Sequence, residues 1–108
     1  MTYLLDNQEY HLHYSIGRLE KIEQAAGMTA VTLAVDATAN GKYPPISVIK
    51  HYFAMGLLNQ NGVYAPLKKA LEFAEKQIQE SGYMAVAIAV IETLTEDCGF
   101  LFQSGSSD

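Results

Sequence analysis

Two histidines at alternate positions, His11 and His13, are the first residues whose type and spacing fit chemistry. On an extended strand they share one face, as two ligands of a metal site would. A third ligand would have to be His51 or a carboxylate from elsewhere. With so few ligands the pair reads as a solvated strand face, and no bound metal is expected. Cys98, the single cysteine, could pair with a distant histidine as a nucleophile, but no local signature accompanies it. A lone cysteine of this kind reads as a small buried hydrophobe. Glu20 and Glu23 stand three apart on a helical stretch, as ordinary surface charges do. No Gly-rich phosphate loop, nucleophile elbow or zinc-ligand spacing is present. The expectation is a chain with no catalytic, cofactor-binding or metal site, which works by binding another protein.

Charge narrows the partner. Twelve acidic residues stand against seven basic ones, a net charge of −5. Phosphate recognition relies on clustered Lys and Arg that release counterions. The one local basic pair, Lys68-Lys69, is followed closely by Glu72 and Glu75. Nucleic acid and anionic membrane surfaces are therefore poor partners. A single cysteine rules out an internal disulfide and suits a reducing cytoplasm. The first residues meet a charge at Asp6, too early for a secretory signal. The longest apolar run, Tyr83–Ile91, has nine residues, whereas a membrane-crossing helix needs about 20.

These residues need elements to hold them. At 108 residues, with 49% hydrophobic content, the chain fits one domain with a genuine core. Tyr10, Leu12 and Tyr14 alternate with the two histidines, the period of a half-buried strand. Tyr3–Leu5 precedes it as a shorter strand, and Asp6-Asn7-Gln8 supplies the turn. A helix opens at Ser15, a good N-cap, with Ile16, Leu19, Ile22 and Ala26 on one face and Gly27 to end it. Gly17 in its first turn points to close packing or a late helix start. From Met28 to Asp36, Val31, Leu33 and Val35 alternate like a strand. In the same stretch Ala30, Leu33, Ala34 and Ala37 fit a helix capped by Thr29, and the alanines tip the reading to a short helix.

A loop follows from Ala39 to Pro45. A helix then runs from Pro45 to about Leu58, with Ile46, Ile49, Phe53 and Leu57 on a face and further apolar residues elsewhere, the mark of a central helix. Asn59-Gln60-Asn61-Gly62 breaks it. Pro66 opens an amphipathic helix whose stripe is Leu67, Ala70, Leu71, Ala74 and Ile78, with Glu72 and Lys76 in the favourable i,i+4 order on the wet side. The last helix, from Tyr83 to before Gly99, is uniformly apolar in its first half and is expected to be buried on nearly all sides there. The fold class is thus mostly α, four to five helices with an N-terminal β-hairpin, over residues 1–102. Residues 103–108 form a polar tail that is expected to be disordered. The predicted core is Leu19, Ile22, Ile49, Phe53, Leu71, Ile88 and Ile91.

Phe100, Leu101 and Phe102 interrupt the polar end. They either fold back to close the core or form an apolar patch that a partner covers. Together with the final helix they form the candidate protein-binding surface.

The order of elements resembles the small tail assembly chaperones of long-tailed, siphovirus-type bacteriophages and prophages. The resemblance rests on the run Ser15-Ile16-Gly17-Arg18-Leu19-Glu20-Lys21-Ile22-Glu23, closed by Ala26-Gly27-Met28-Thr29. It continues in the central helix ending at Met55-Gly56-Leu57-Leu58, then in the helices Leu67–Glu80 and Met84–Leu94. It spans roughly residues 10–97. It implies a non-catalytic protein of the bacterial host cytoplasm, without cofactors. Such a protein coats the tape measure protein and hands it to the tail tube protein polymerising around it. A homo-oligomeric resting state, and a longer frameshifted product of the same gene, would fit that family. Two rivals belong to other classes. A small phage regulatory protein, transcriptional or anti-repressor, would need Arg, Lys, Asn or Gln along one exposed helix face. The lysines of the Pro66 helix are offset by its glutamates. A structural tail or head subunit would remain in finished particles.

Overall fold

The computed structural model describes residues 1–102, the side chain of Phe102 excepted; the tail expected at 103–108 lies outside the described residues. The chain opens with β1 (Tyr3–Leu5) and β2 (Gln8–Leu12), joined by the two-residue turn Asp6-Asn7. Both turn residues have positive φ, 52° and 65°. Asp and Asn tolerate that region, and its twist matches the flanking strands. Tyr3 faces Tyr10 and Leu5 faces Gln8 across the pair. Alternation turns Tyr10 and Leu12 into the core and His11 outward.

Helix α1 (Ile16–Ala26) starts where Ser15 Oγ accepts the Arg18 N–H at 3.2 Å. It stops at Gly27, whose φ of 80° suits a residue without Cβ. The 28–36 stretch is helical: α2 spans Ala30–Ala39. Two carboxyl or hydroxyl oxygens settle its start. Thr29 Oγ1 accepts the Thr32 N–H at 3.1 Å, and Glu23 Oε2 accepts the Ala30 N–H at 2.8 Å. A carboxylate there also faces the positive end of the helix.

Helix α3 (Ile46–Met55) ends at Gly56, three residues earlier than the sequence implies. Leu57–Asn59 form a strand, β3, which pairs antiparallel with the far edge of β2 (Tyr10 with Asn59, Leu12 with Leu57). The sheet order is therefore β1-β2-β3. Helices α4 (Leu67–Ser81) and α5 (Tyr83–Asp97) follow, separated by Gly82 at φ 94°. A 3₁₀ turn, Gly99–Phe102, ends the described chain. Among the described residues the fold is mostly helical, five helices with an N-terminal hairpin and a third short strand. No helix of the described residues is long and apolar enough to cross a membrane.

Helix α3 is the centre: α1, α4 and α5 pack on it, and α2 packs on α5. Ile49, Tyr52 and Phe53 are fully buried, and the Tyr3 ring meets Phe53 edge-on at 5.0 Å between centroids. Leu19, Ile22 and Ile91 join that core as predicted. Leu71 is only partly buried, and Ile88 is 42% exposed, so neither is the core residue that its spacing implies. Met84 is exposed too, and the first half of α5 is not buried all round. A domain of this size has too few layers to cover every side of a 15-residue helix. Ile16, Ile46 and Leu67 are likewise exposed. Each is the first residue of its helix, where Cβ tilts back past the end of the element it should pack against. Gly17 lies inside α1 with open space around it, so it marks neither close packing nor a late start.

Candidate functional site

The histidine pair comes together only as neighbours. His11 and His13 rings meet edge-on at 6.2 Å, with His11 exposed. His13 Nδ1 lies 3.5 Å from Asp97 Oδ2, at the end of α5. That same carboxylate oxygen accepts the Tyr14 N–H at 3.0 Å, so Asp97 ties α5 to the exit of the hairpin. His51 does not join them: its Nδ1 sits 2.7 Å from the Ser47 carbonyl of its own helix. Among the described residues no three His, Cys, Asp or Glu side chains cluster as a metal-binding group.

Cys98 is fully buried, its thiol 3.7 Å from the Tyr14 carbonyl oxygen. Burial, and then the adjacent Asp97 carboxylate, push its pKa up. A nucleophilic thiolate needs the opposite shift. Glu20 is exposed, while Glu23 caps α2.

Arg18 has a position that sequence reading missed. Its Nε donates to the Met55 carbonyl at 2.7 Å, and its guanidinium lies 4.0 Å above the Tyr64 ring. Partial burial lowers its pKa from the usual arginine range. The partner carbonyl is 37 residues away, so no local signal in the chain announces the contact.

The aromatic trio divides. Phe100 is 45% exposed. Leu101 turns inward, partly buried against the core, and its N–H donates to the Cys98 carbonyl at 2.9 Å. The Phe102 side chain lies outside the described residues. Fold-back and exposure are thus both realised, on adjacent residues.

A second apolar surface accompanies Phe100. On α2, Val31 and Val35 are 40% and 39% exposed; on α5, Met84 and Ile88 are 46% and 42% exposed. Each pair has the four-residue spacing of a single helix face. The two helices pack against each other, and each carries one such stripe. Helix α2 is apolar on its outer as well as its inner side, a pattern of helices that are covered on both. The alternating valines carried this signal in the sequence, where they read as a possible strand. Chemically the surface offers burial of aliphatic area and nothing that activates a substrate. Comparison with protein-family models, with curated proteins and with solved structures finds no match for this chain.

Proposed function

We propose that the protein is a non-catalytic assembly chaperone that shields apolar helical surface of another protein. More specifically, we read it as a tail assembly chaperone of a long-tailed phage or prophage, acting in the host cytoplasm. Its client is the tape measure protein, which it holds soluble while the tail tube protein polymerises around it. The observation that carries the reading is the pair of exposed apolar stripes, Val31 with Val35 and Met84 with Ile88, on two helices packed together. An amphipathic client helix is matched by such a face at i,i+4 spacing. Phe100 adds an aromatic anchor at the end of α5. The same surface would close between copies in a homo-oligomer and exchange for the client, since lone apolar patches seek cover.

The test is co-expression with a tape measure protein of a long-tailed phage. The wild-type chain keeps that client soluble and co-purifies with it. The variant V35E/I88E folds, because both residues are exposed, and releases the client to the insoluble fraction. A client that is equally soluble with the variant, or without any chaperone, overturns the proposal.

A further inference from the structure

A groove lies between the hairpin, at Met1, Tyr3, His11 and Leu12, and the C-terminal half of α5. It encloses about 320 Å³. Tyr3, Leu12 and Ala89 contribute apolar surface, and Glu92, Glu96 and Asp97 line it with carboxylates. On α5 Ala89, Glu96 and Asp97 lie about a quarter of a turn or more round the axis from Met84 and Ile88, while Glu92 follows Ile88 by one turn. The groove therefore adjoins the apolar stripe of α5 and faces away from most of it.

We propose that this groove docks a protein segment carrying lysine or arginine next to an apolar side chain. Charge complementarity over an apolar floor selects that occupant. Helix α5 holds three carboxylates and no Lys or Arg. Glu92 and Glu96 are one turn apart, a like-charge spacing that disfavours the helix. Glu96 and Asp97 occupy the last turn, where unpaired carbonyls already make the helix end negative. Among the described residues the ion pairs are His13–Asp97, Lys50–Glu75 and Lys69–Asp6. None uses Glu92 or Glu96, and no Lys or Arg side chain lines the groove. Among the described residues the Glu92–Glu96 repulsion and the Glu96 carboxylate at the helix end are thus left without an ion-pair partner, whereas Asp97 has His13 and the Tyr14 N–H. A long cationic side chain answers both features at once: its methylenes cover Tyr3, Leu12 and Ala89 while its head reaches the carboxylates. A simple cation would satisfy only the charge.

The test uses synthetic peptides and the full chain, with no tape measure protein, so its outcome is independent of the function proposed above. One labelled peptide presents leucines flanked by arginines on a helical face. A second replaces the arginines with glutamates, and a third replaces the leucines with serines. Binding is followed by anisotropy and by amide shifts on the ¹⁵N-labelled protein. The first peptide is expected to bind, to weaken as salt shortens the screening length, and to shift the amides of His11, Ala89, Glu92 and Glu96. The variant E92K/E96K should keep its thermal transition and bind on the order of tenfold more weakly, as loss of two surface charge contacts implies. The proposal is overturned if the glutamate or serine peptide binds as well as the first. Unchanged binding by E92K/E96K, or shifts that map to other surfaces, also overturn it.

Discussion

The phenol of Tyr14 donates to the backbone carbonyl of Tyr52 at 2.8 Å, 38 residues along the chain, with both side chains fully buried. The bond exists because of how α3 ends. The Gly56 N–H turns to the Phe53 carbonyl at 3.3 Å, so the Tyr52 carbonyl loses its helical partner. The corner between β2 and α1 supplies the replacements. Tyr14 takes the Tyr52 carbonyl, Arg18 Nε takes that of Met55, and the His13 N–H takes that of Gly56 at 2.9 Å. The central helix is thus capped by residues distant in sequence, and the hairpin, α1 and α3 are joined into one unit.

Gly56 is where this joint admits no side chain. A Cβ there would lie 2.7 Å from Tyr14 Cε1 and 2.8 Å from Cζ. The Gly56 φ of −92° is open to any residue, so the demand is for space alone. The Tyr14 ring is buried and held by its hydrogen bond, so it cannot simply swing aside. Gly56→Ala is expected to cost about 1–3 kcal/mol, the usual penalty for overpacking. Gly17, with nothing near its Cβ position, gives the control. Gly17→Ala should be neutral or stabilising by up to about 1 kcal/mol. Equal midpoints for the two variants in urea would show that Tyr14 does not press on Gly56.

Burial holds the Tyr14 phenol well above the usual tyrosine range, and burial, then Glu23, raises that of Tyr52. A phenol with a raised folded-state pKa keeps its proton more tightly in the fold than in the unfolded chain. Its stabilisation is therefore complete below about pH 10, the unfolded value, and is lost as pH climbs toward the folded one. Stability should fall above that pH by up to about 1.4 kcal/mol per pH unit for each such tyrosine. Tyr14→Phe should be less stable near neutrality by about 1–3 kcal/mol, since it leaves the Tyr52 carbonyl unpaired. Above pH 10 its decline should be shallower than that of the wild type. Parallel declines in pH-dependent denaturation would mean that Tyr14 titrates as it does in the unfolded chain.

Phe53→Ala is expected to cost about 3–5 kcal/mol, because the ring is fully buried and packed edge-on by Tyr3. Ile88→Ser should cost well under that, about 1 kcal/mol or less, since Ile88 is half in water. A calorimetric comparison of the two checks the division of the core. It also marks how far the sequence was legible. Helix starts at Ser15, Thr29 and Pro66 were readable because caps and proline act within one turn. Phe53 and Ile22 were readable because their periodic partners repeat within each helix. Ile88 was not, since spacing gives a face its polarity but not the number of neighbours that reach it. Strand β3 was hidden for the same reason: Leu57-Leu58 continues a helical pattern locally, and only the free edge of β2 draws it into a sheet. At the candidate surface, Phe100 was legible as an apolar outlier. The opposite fates of Phe100 and Leu101 depend on the turn after Cys98.

Leu101 packs inward and its backbone continues the contact with Cys98, whereas Phe100 presents its ring to water. Leu101→Ser should therefore lower the thermal midpoint, removing about 1–2 kcal/mol of partial apolar burial. Phe100→Ser should leave the midpoint nearly unchanged, within about 0.5 kcal/mol for a surface substitution. If Phe100 anchors a shared binding surface, its variant should also sediment as smaller species than the wild type at equal concentration. Truncating a central aromatic commonly costs an interface 2 kcal/mol or more, roughly thirtyfold in the association constant. Sedimentation across a concentration series, with circular dichroism on the same samples, separates the two effects. Should Phe100→Ser unfold the domain, the ring belongs to the core. Should it fold and self-associate like the wild type, the shared surface lies on α2 and α5 without it.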